Sequence, residues 1–156
     1  MRLESPEFKE NDPIPKQFTC DGTNVHPPLQ FFDVPIEAKT LALIVEDPDV
    51  PRTIRQDGTW DHWVVWNIPP TIDKIEAGEV VPGIYGSNTS GETVYSGPCP
   101  PDGEHRYFFR LYALDTELNL KEGATKQKLL NAMHGHVLTS AILIGRYVRG
   151  RRSSDA

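Results

Sequence analysis

Cysteine, excess positive charge and long apolar runs are scarce or absent in this chain. Two cysteines in 156 residues are too few for the disulfide framework of a small secreted scaffold. With 16 Lys+Arg against 22 Asp+Glu, the net charge of −6 disfavours binding to nucleic acid, because phosphate backbones need a positive face. Residues 1–6 lack an apolar signal core, and no apolar run approaches the length of a membrane span. We therefore expect a soluble, cytoplasmic protein.

The two cysteines, Cys20 and Cys99, allow two interpretations. In a cytosolic chain they are usually reduced packing residues. Both lie in turn-rich segments, however, so a regulatory disulfide between them is the alternative. Neither interpretation requires a metal or a cofactor.

Length predicts one domain over residues 1–150, followed by a short polar tail over 151–156. A chain of this size buries roughly 68–70% of its unfolded surface, which is enough for one hydrophobic core. Strands are predicted where apolar, β-branched and aromatic residues run together between turn signals. These runs span residues 40–46, 61–68, 106–114 and 140–148.

One helix is predicted from Thr125 to about Gly135, because Leu129, Leu130, Met133 and Val137 recur at helical spacing. Residues 73–97 contain five glycines and little periodicity, so this segment is predicted to be mostly loop. Strands outnumber helices and are separated by proline and glycine turns. The sequence therefore predicts a mainly β fold, an antiparallel sandwich with a peripheral helix.

A first cluster of polar residues, Asp47-Pro48-Asp49-Val50-Pro51, follows the first predicted strand. The two acids are two residues apart, so their side chains could point the same way. Proline fixes the turn and would hold both carboxylates with little entropy left to lose. The alternative is a solvated turn, since Asp-Pro pairs commonly begin turns.

A second candidate is His62, which lies between Trp60 and Trp63 at the start of the next predicted strand. Its bulky neighbours predict that it is at least half buried. A nearby carboxylate would raise its pKa and favour the protonated, anion-binding form. The alternative is a core histidine that is satisfied by a backbone carbonyl.

A third cluster runs from Gly97-Pro98-Cys99-Pro100-Pro101 to His105-Arg106-Tyr107. Gly97 would let a ligand approach the backbone closely. His105 and Tyr107 share one face of a strand, and both donate hydrogen bonds from apolar rings. That combination suits an oxyanion in a partly dry pocket. A proline-rich turn next to aromatic core residues is the alternative.

Together these motifs, with Gly135-His136-Val137-Leu138, resemble the phosphatidylethanolamine-binding proteins, also called Raf kinase inhibitor proteins, and in particular their short bacterial and archaeal branch. The resemblance implies a Greek-key β-sandwich of two antiparallel sheets with one or two peripheral helices. It also implies a cis proline at Pro51. The family's ligand-binding residues correspond to six positions of this chain: Asp47, Asp49, His62, Gly97, His105 and Tyr107.

The resemblance implies a module that binds a small anion or a phosphorylated head group such as phosphate or phosphoethanolamine. Two acids would repel a lone phosphate, so we expect them to meet an ammonium group or to keep the histidines protonated. Inhibition or regulation of a kinase or protease, and a homodimer, are further expectations. Regulation of Raf-type kinases is not carried over. Glu104 and Asp102 place acids beside the anion site and could weaken it.

Two other functional classes remain open. The acids and histidines could form a hydrolase or metal-assisted site. The sequence has no Gly-x-Ser-x-Gly, His-Glu-x-x-His or Gly-x-x-x-x-Gly-Lys-[Ser/Thr] motif, so we predict no enzyme, no catalytic residue and no bound metal. Alternatively, arginines near the end of the chain could contact an acidic protein, or simply be solvated. These are Arg146, Arg149, Arg151 and Arg152.

Overall fold

Eight strands, one α-helix and one short 3-10 helix make up the structure, a computed structural model that describes residues 1–150. The predicted polar tail and the arginines at 151 and 152 lie outside the described residues. The elements in chain order are β1 (Arg2–Glu4), the 3-10 helix (Lys16–Phe18), β2 (Leu29–Phe32), β3 (Thr40–Asp47), β4 (Trp60–Ile68), β5 (Lys74–Ile75), β6 (Ile84–Tyr85), β7 (His105–Leu114), α1 (Lys126–Met133) and β8 (Val137–Tyr147).

The strands form two sheets, and all paired strands within them are antiparallel. The smaller sheet has the order β1-β2-β5, and the larger has the order β6-β4-β3-β7-β8. The mainly β fold class with two antiparallel sheets and a single α-helix is therefore confirmed. Within residues 1–150, no helix is long and apolar enough to cross a bilayer.

Side-chain alternation along the central strands divides the core into two layers. On β3, Leu41, Leu43 and Val45 face the smaller sheet and belong to the main core cluster. The intervening Ala42 and Ile44 face the opposite side, where α1 covers them. Both faces of β3 are buried, which explains why its sequence is continuously apolar rather than alternating.

The four predicted strands are observed, and each prediction misses the observed start by no more than three residues. The four short strands, β1, β2, β5 and β6, were not predicted. The helix is observed, and the Thr125 hydroxyl caps it by accepting a hydrogen bond from the Lys128 amide. Val137 was wrongly placed on the helix: the chain turns at Gly135, where φ is +81°, and Val137 begins β8.

The cis proline expected at Pro51 is wrong. No peptide bond within residues 1–150 is cis. The amides of Ile54 and Arg55 donate to the Pro51 carbonyl oxygen at 2.8 and 3.1 Å and close the turn that follows Pro51.

Candidate functional site

A cavity of 330 Å³ opens where β3, β4 and β7 meet the loop that precedes β7. Four of the six predicted site residues line it, and the other two, Asp49 and His105, lie beside it. Aliphatic, aromatic and proline side chains form most of the remaining wall. The lining residues are Asp47, Val50, Ile54, Trp60, His62, Ser90, Ser96, Gly97, Cys99, Pro100, Pro101 and Tyr107.

A β-bulge directs His62 into this cavity. In the pairing of β3 with β4, Val45 lies opposite Trp63 and Glu46 lies opposite Asp61, so His62 is the extra residue. A bulge interrupts the alternation of a strand and redirects one side chain. Asp61 therefore points to the outer face, where it meets the ammonium group of Lys126 at 2.8 Å, while His62 and Trp63 are both buried.

The hydrogen bond of His62 determines which of its nitrogens carries the proton. Nδ1 lies 2.6 Å from the carbonyl oxygen of Ser96. A carbonyl can only accept, so Nδ1 donates. The side chain is 4% exposed, and burial lowers its pKa despite the Ser96 bond and the nearby charge of Asp47. The expected protonated, anion-binding form of His62 is therefore wrong: burial keeps the imidazole neutral.

The other ring nitrogen of His62 and the hydroxyl of Tyr107 are both buried without a hydrogen-bond partner among residues 1–150. The two rings meet edge to face, with centroids 5.3 Å apart. Burial, then the charge of the nearby Asp47 carboxylate and the contact of the hydroxyl with it, raise the pKa of the Tyr107 phenol well above its ordinary value, although that contact falls short of hydrogen-bond geometry. Buried polar atoms in folded proteins nearly always have partners, so two without one on cavity-lining side chains are unusual.

His105 is held between two carboxylates behind the cavity. Its Nδ1 lies 2.5 Å from Oδ2 of the buried Asp47, and its Nε2 lies 2.7 Å from Oδ1 of Asp102. Burial lowers the pKa of His105, but the hydrogen bonds to Asp47 and Asp102 outweigh it and raise the pKa. Both nitrogens therefore donate, and His105 is a cation that offsets the charge of Asp47.

The two acids of the first motif point in different directions, contrary to the prediction from their spacing. Oδ1 of Asp47 accepts a hydrogen bond from the Asp49 amide at 2.7 Å. The Asp49 carboxylate instead turns outward and accepts bonds from the guanidinium of Arg106 at 2.8 and 2.9 Å. Side chains two residues apart point the same way only within a strand. Here β3 ends at Asp47 and the next two residues form a turn, so the rule does not apply.

Gly97 packs closely against the segment that contains Phe18, Thr19 and Asn24. Its amide donates to Oδ1 of Asn24 at 2.8 Å. A Cβ at this position would lie 2.5 Å from the carbonyl oxygen of Phe18 and 3.0 Å from Cα of Thr19. A larger residue would therefore push the cavity loop away from the segment that supports it.

Cys20 and Cys99 form a disulfide. The interpretation of both as reduced packing residues is therefore wrong, and the alternative pairing is observed. A backbone bond between the Cys20 amide and the Pro98 carbonyl oxygen, 3.1 Å long, runs alongside it. Cys99 lines the cavity, so the disulfide ties the cavity wall to the segment after the 3-10 helix.

Several other charged groups of the molecule are paired with one another. A second cavity of 280 Å³ is lined in part by Glu104, Arg146 and Asp21. Arg146 contacts Glu104 at 2.9 Å, and Arg149 contacts Asp21 at 3.2 Å. Glu104 therefore turns away from the first cavity. Among residues 1–150, no group of three or more His, Cys, Asp or Glu side chains is placed to hold a metal ion.

Comparison with known proteins identifies the family. The model of the phosphatidylethanolamine-binding protein family matches residues 4–148. The chain belongs to that family. It is 51% identical to a UPF0098 protein of Chlamydia muridarum over 94% of this chain and 98% of the relative. It is also 51% identical to one of Methanothermobacter thermautotrophicus, over 96% of this chain and all of the relative.

Solved structures of the family share the fold. A phosphatidylethanolamine-binding protein homologue from Chlamydia trachomatis is 49% identical and superposes with a TM-score of 0.93, covering 95% of this chain and 97% of that one. Escherichia coli YbcL, described as a member of the mammalian family, is 26% identical with a TM-score of 0.84, covering 94% and 96%. The predicted resemblance is therefore confirmed.

Several cavity residues could not be identified from the sequence. Ser96 fixes the orientation of His62, but a serine in a loop gives no signal of such a role. Ile54 and Ser90 come from loops with no motif. Trp60 could have been found, because it lies two residues before His62 within the same tryptophan-rich motif.

Proposed function

We propose that this protein binds a small phosphate-bearing ligand, such as phosphate or phosphoethanolamine, in the cavity lined by Asp47, His62, Gly97 and Tyr107. The observation that carries the proposal is the pair of buried atoms without partners, His62 Nε2 and the Tyr107 hydroxyl. A ligand in the cavity would supply the hydrogen bonds that the protein does not.

The rest of the cavity supports a binding role. The positive charge of His105, buried behind Asp47, reduces the repulsion that a lone carboxylate would exert on an anion. The disulfide and the hydrogen bond from the Gly97 amide to Asn24 hold the loop in place before any ligand arrives. A site that is organised in advance loses less entropy on binding.

The membership of the chain in the phosphatidylethanolamine-binding protein family also supports a head-group ligand. Regulation of a kinase or protease, a homodimer and a cytoplasmic location stay predictions from the sequence and from the resemblance. Asp49 and His105 would act on the ligand indirectly, through the turn and through Asp47.

Calorimetric titration of the protein with phosphate and with phosphoethanolamine tests the proposal. Tyr107→Phe removes one hydroxyl from the cavity and should weaken binding by roughly tenfold, the value of one hydrogen bond. Tyr112→Phe removes a hydroxyl from the same strand outside the cavity and is the matched control, for which we expect unchanged affinity. Failure of the unmodified protein to bind either ligand would contradict the proposal, as would equal losses in both variants.

A further inference from the structure

The larger sheet ends at β8, and β8 is the longest edge strand within residues 1–150. The two sheets have four edge strands, and three of these, β1, β5 and β6, have only two or three residues each. Very short edge strands are one of the ways in which proteins prevent their sheets from joining. β8 has eleven residues and therefore lacks that protection.

Only the second half of the β8 edge is covered by another part of the chain. The Asn11 amide donates to the Ile144 carbonyl oxygen at 2.7 Å, and the Ile144 amide donates to the Glu10 carboxylate at 3.1 Å. Ile144 therefore directs its backbone groups away from β7, and by alternation Ser140 and Ile142 do the same. Within residues 1–150, no hydrogen bond outside the β7 ladder reaches the backbone of these two residues.

The open part of the edge, residues 137–143, has none of the side chains that normally keep strands apart. It contains no charged residue and no proline. Three of its apolar side chains are instead exposed to solvent: Val137 and Ile142 are each 45% exposed, and Leu138 is 42% exposed. An unpaired, uncharged and apolar edge of this kind favours pairing with a further strand.

We propose that this edge is an interface between two copies of the chain, in which residues 139–143 pair antiparallel with the same residues of the partner subunit. A two-fold axis at Ala141 places Ser140 opposite Ile142 of the partner subunit, and Ile142 opposite Ser140 of the partner subunit. All four free backbone groups of these two residues then find partners in each copy. Such self-complementarity is what a two-fold interface requires, and it favours a second copy over an unrelated peptide.

The surroundings of the edge select this register. Sliding the partner by two residues towards the end of β8 would place Ile144 opposite Ser140, although the backbone of Ile144 is already bonded. Sliding it the other way would place Leu138 opposite Ile142, and Leu138 is the extra residue of a bulge against β7. At the axis, Ala141 has a side chain small enough for a non-hydrogen-bonded pair, whose Cα atoms are only about 4.5 Å apart.

The pairing would join two five-stranded sheets into one continuous sheet across both subunits. It gives the homodimer expected from the sequence a defined interface. The inference goes beyond the proposed function and does not depend on it, because the β8 edge contributes no residue to the first cavity.

Sedimentation equilibrium of the full chain over a range of concentrations is the first test. We expect a reversible species of twice the mass of one chain. A protein that is still monomeric at about 1 mM, the weak end of the affinity scale, would overturn the inference.

Two variants then locate the interface. Ile142→Lys places a charge on the open edge, and Ser140→Pro removes an outward amide without removing a bond to β7. We expect each to raise the dissociation constant of the dimer by at least about tenfold, the value of one hydrogen bond. Val80→Lys is the matched control, because Val80 is 81% exposed and lies outside β8. A dimer that neither β8 variant weakens, or that the control weakens equally, would overturn the inference.

Hydrogen exchange of the unmodified protein, followed by amide NMR, does not depend on a variant folding. The amides of Ser140 and Ile142 face solvent in a single copy, so they should become protected at concentrations where the dimer forms. The amide of Leu143 faces β7 and should be protected at every concentration. Rapid exchange of Ser140 and Ile142 in the dimer would overturn the inference.

Discussion

Removal of the Cys20–Cys99 disulfide should markedly lower the stability of the protein. The bridge joins residues 79 positions apart. For a loop of that length, the chain-entropy relation gives about 15 cal/mol/K, or about 4.5 kcal/mol at 25 °C. Since measured values usually fall at or below this relation, we expect the double variant Cys20→Ser with Cys99→Ser to lose about 3–4 kcal/mol of unfolding free energy.

Urea unfolding at neutral pH, without reductant, measures this loss, and a lower melting temperature should accompany it by roughly 10 °C for a chain of this size. Reductant should destabilise the unmodified protein by a similar amount. It should leave the stability of the double-serine variant unchanged, so this variant is the control for other effects of the reductant. A loss below about 1 kcal/mol would refute the reasoning. So would the finding of two free thiols in the native, unreduced protein.

Three further predictions concern the residues around the cavity. Asp47→Asn should lower the free energy of unfolding by about 3–5 kcal/mol, because it removes the buried one of the two carboxylates that pair with His105. Asp49→Asn should lower it by about 1 kcal/mol or less, because the pair of Asp49 with Arg106 is largely solvated. Urea unfolding of both variants measures the two losses, and a larger loss for Asp49→Asn would contradict this prediction. Gly97→Ala should lower the free energy of unfolding by about 1–3 kcal/mol, because the added Cβ would clash with the main chain at Phe18 and Thr19. An unchanged midpoint of urea unfolding would contradict that clash. In a proton NMR titration, the midpoint for His105 should lie above about pH 6.5 and the midpoint for His62 below it, because the pKa of the first is raised and that of the second is lowered. Midpoints in the opposite order would contradict the site geometry.

The titration has a consequence for stability. The pKa of His105 is raised in the folded protein. The contribution of His105 to the free energy of unfolding is therefore complete below about pH 6.5, the pKa of an unperturbed histidine, and is lost as the pH rises through the higher pKa of the folded state. His62 has the opposite sign: its folded pKa is lowered, so its contribution is lost as the pH falls below about 6.5 towards that value. Asp102→Asn removes one of the hydrogen bonds that raise the His105 pKa, so it should reduce the loss of stability on the alkaline side.

The sequence predicted β3 and β4 well because both faces of these strands are largely buried and their apolar pattern is therefore nearly continuous. For β3 the predicted and observed bounds differ by one residue. The short strands were missed because they show no such apolar run. β5 and β6 have two residues each, too few to show any periodicity, and they exist only because a neighbouring strand offers hydrogen bonds.

The candidate site was only partly accessible from the sequence. Residue types and motifs identified Asp47, His62 and Tyr107, because acids, histidines and aromatics at strand ends are readily recognised. The protonation and the orientation of the site residues, however, depend on contacts with residues distant in sequence. The neutral form of His62 is set by burial and by a carbonyl 34 residues away, and the outward turn of Asp49 by a guanidinium 57 residues away. No local pattern encodes either contact.

The most direct test of the proposed binding site is a titration with inorganic phosphate followed by backbone amide NMR. We expect the largest shift changes to cluster at the first cavity, at His62, Gly97, Cys99 and Tyr107. We also expect Tyr107→Phe to weaken these changes and Tyr112→Phe to leave them unaltered. Shift changes confined to the second cavity, around Lys16 and Arg146, or no saturable change anywhere, would contradict the account.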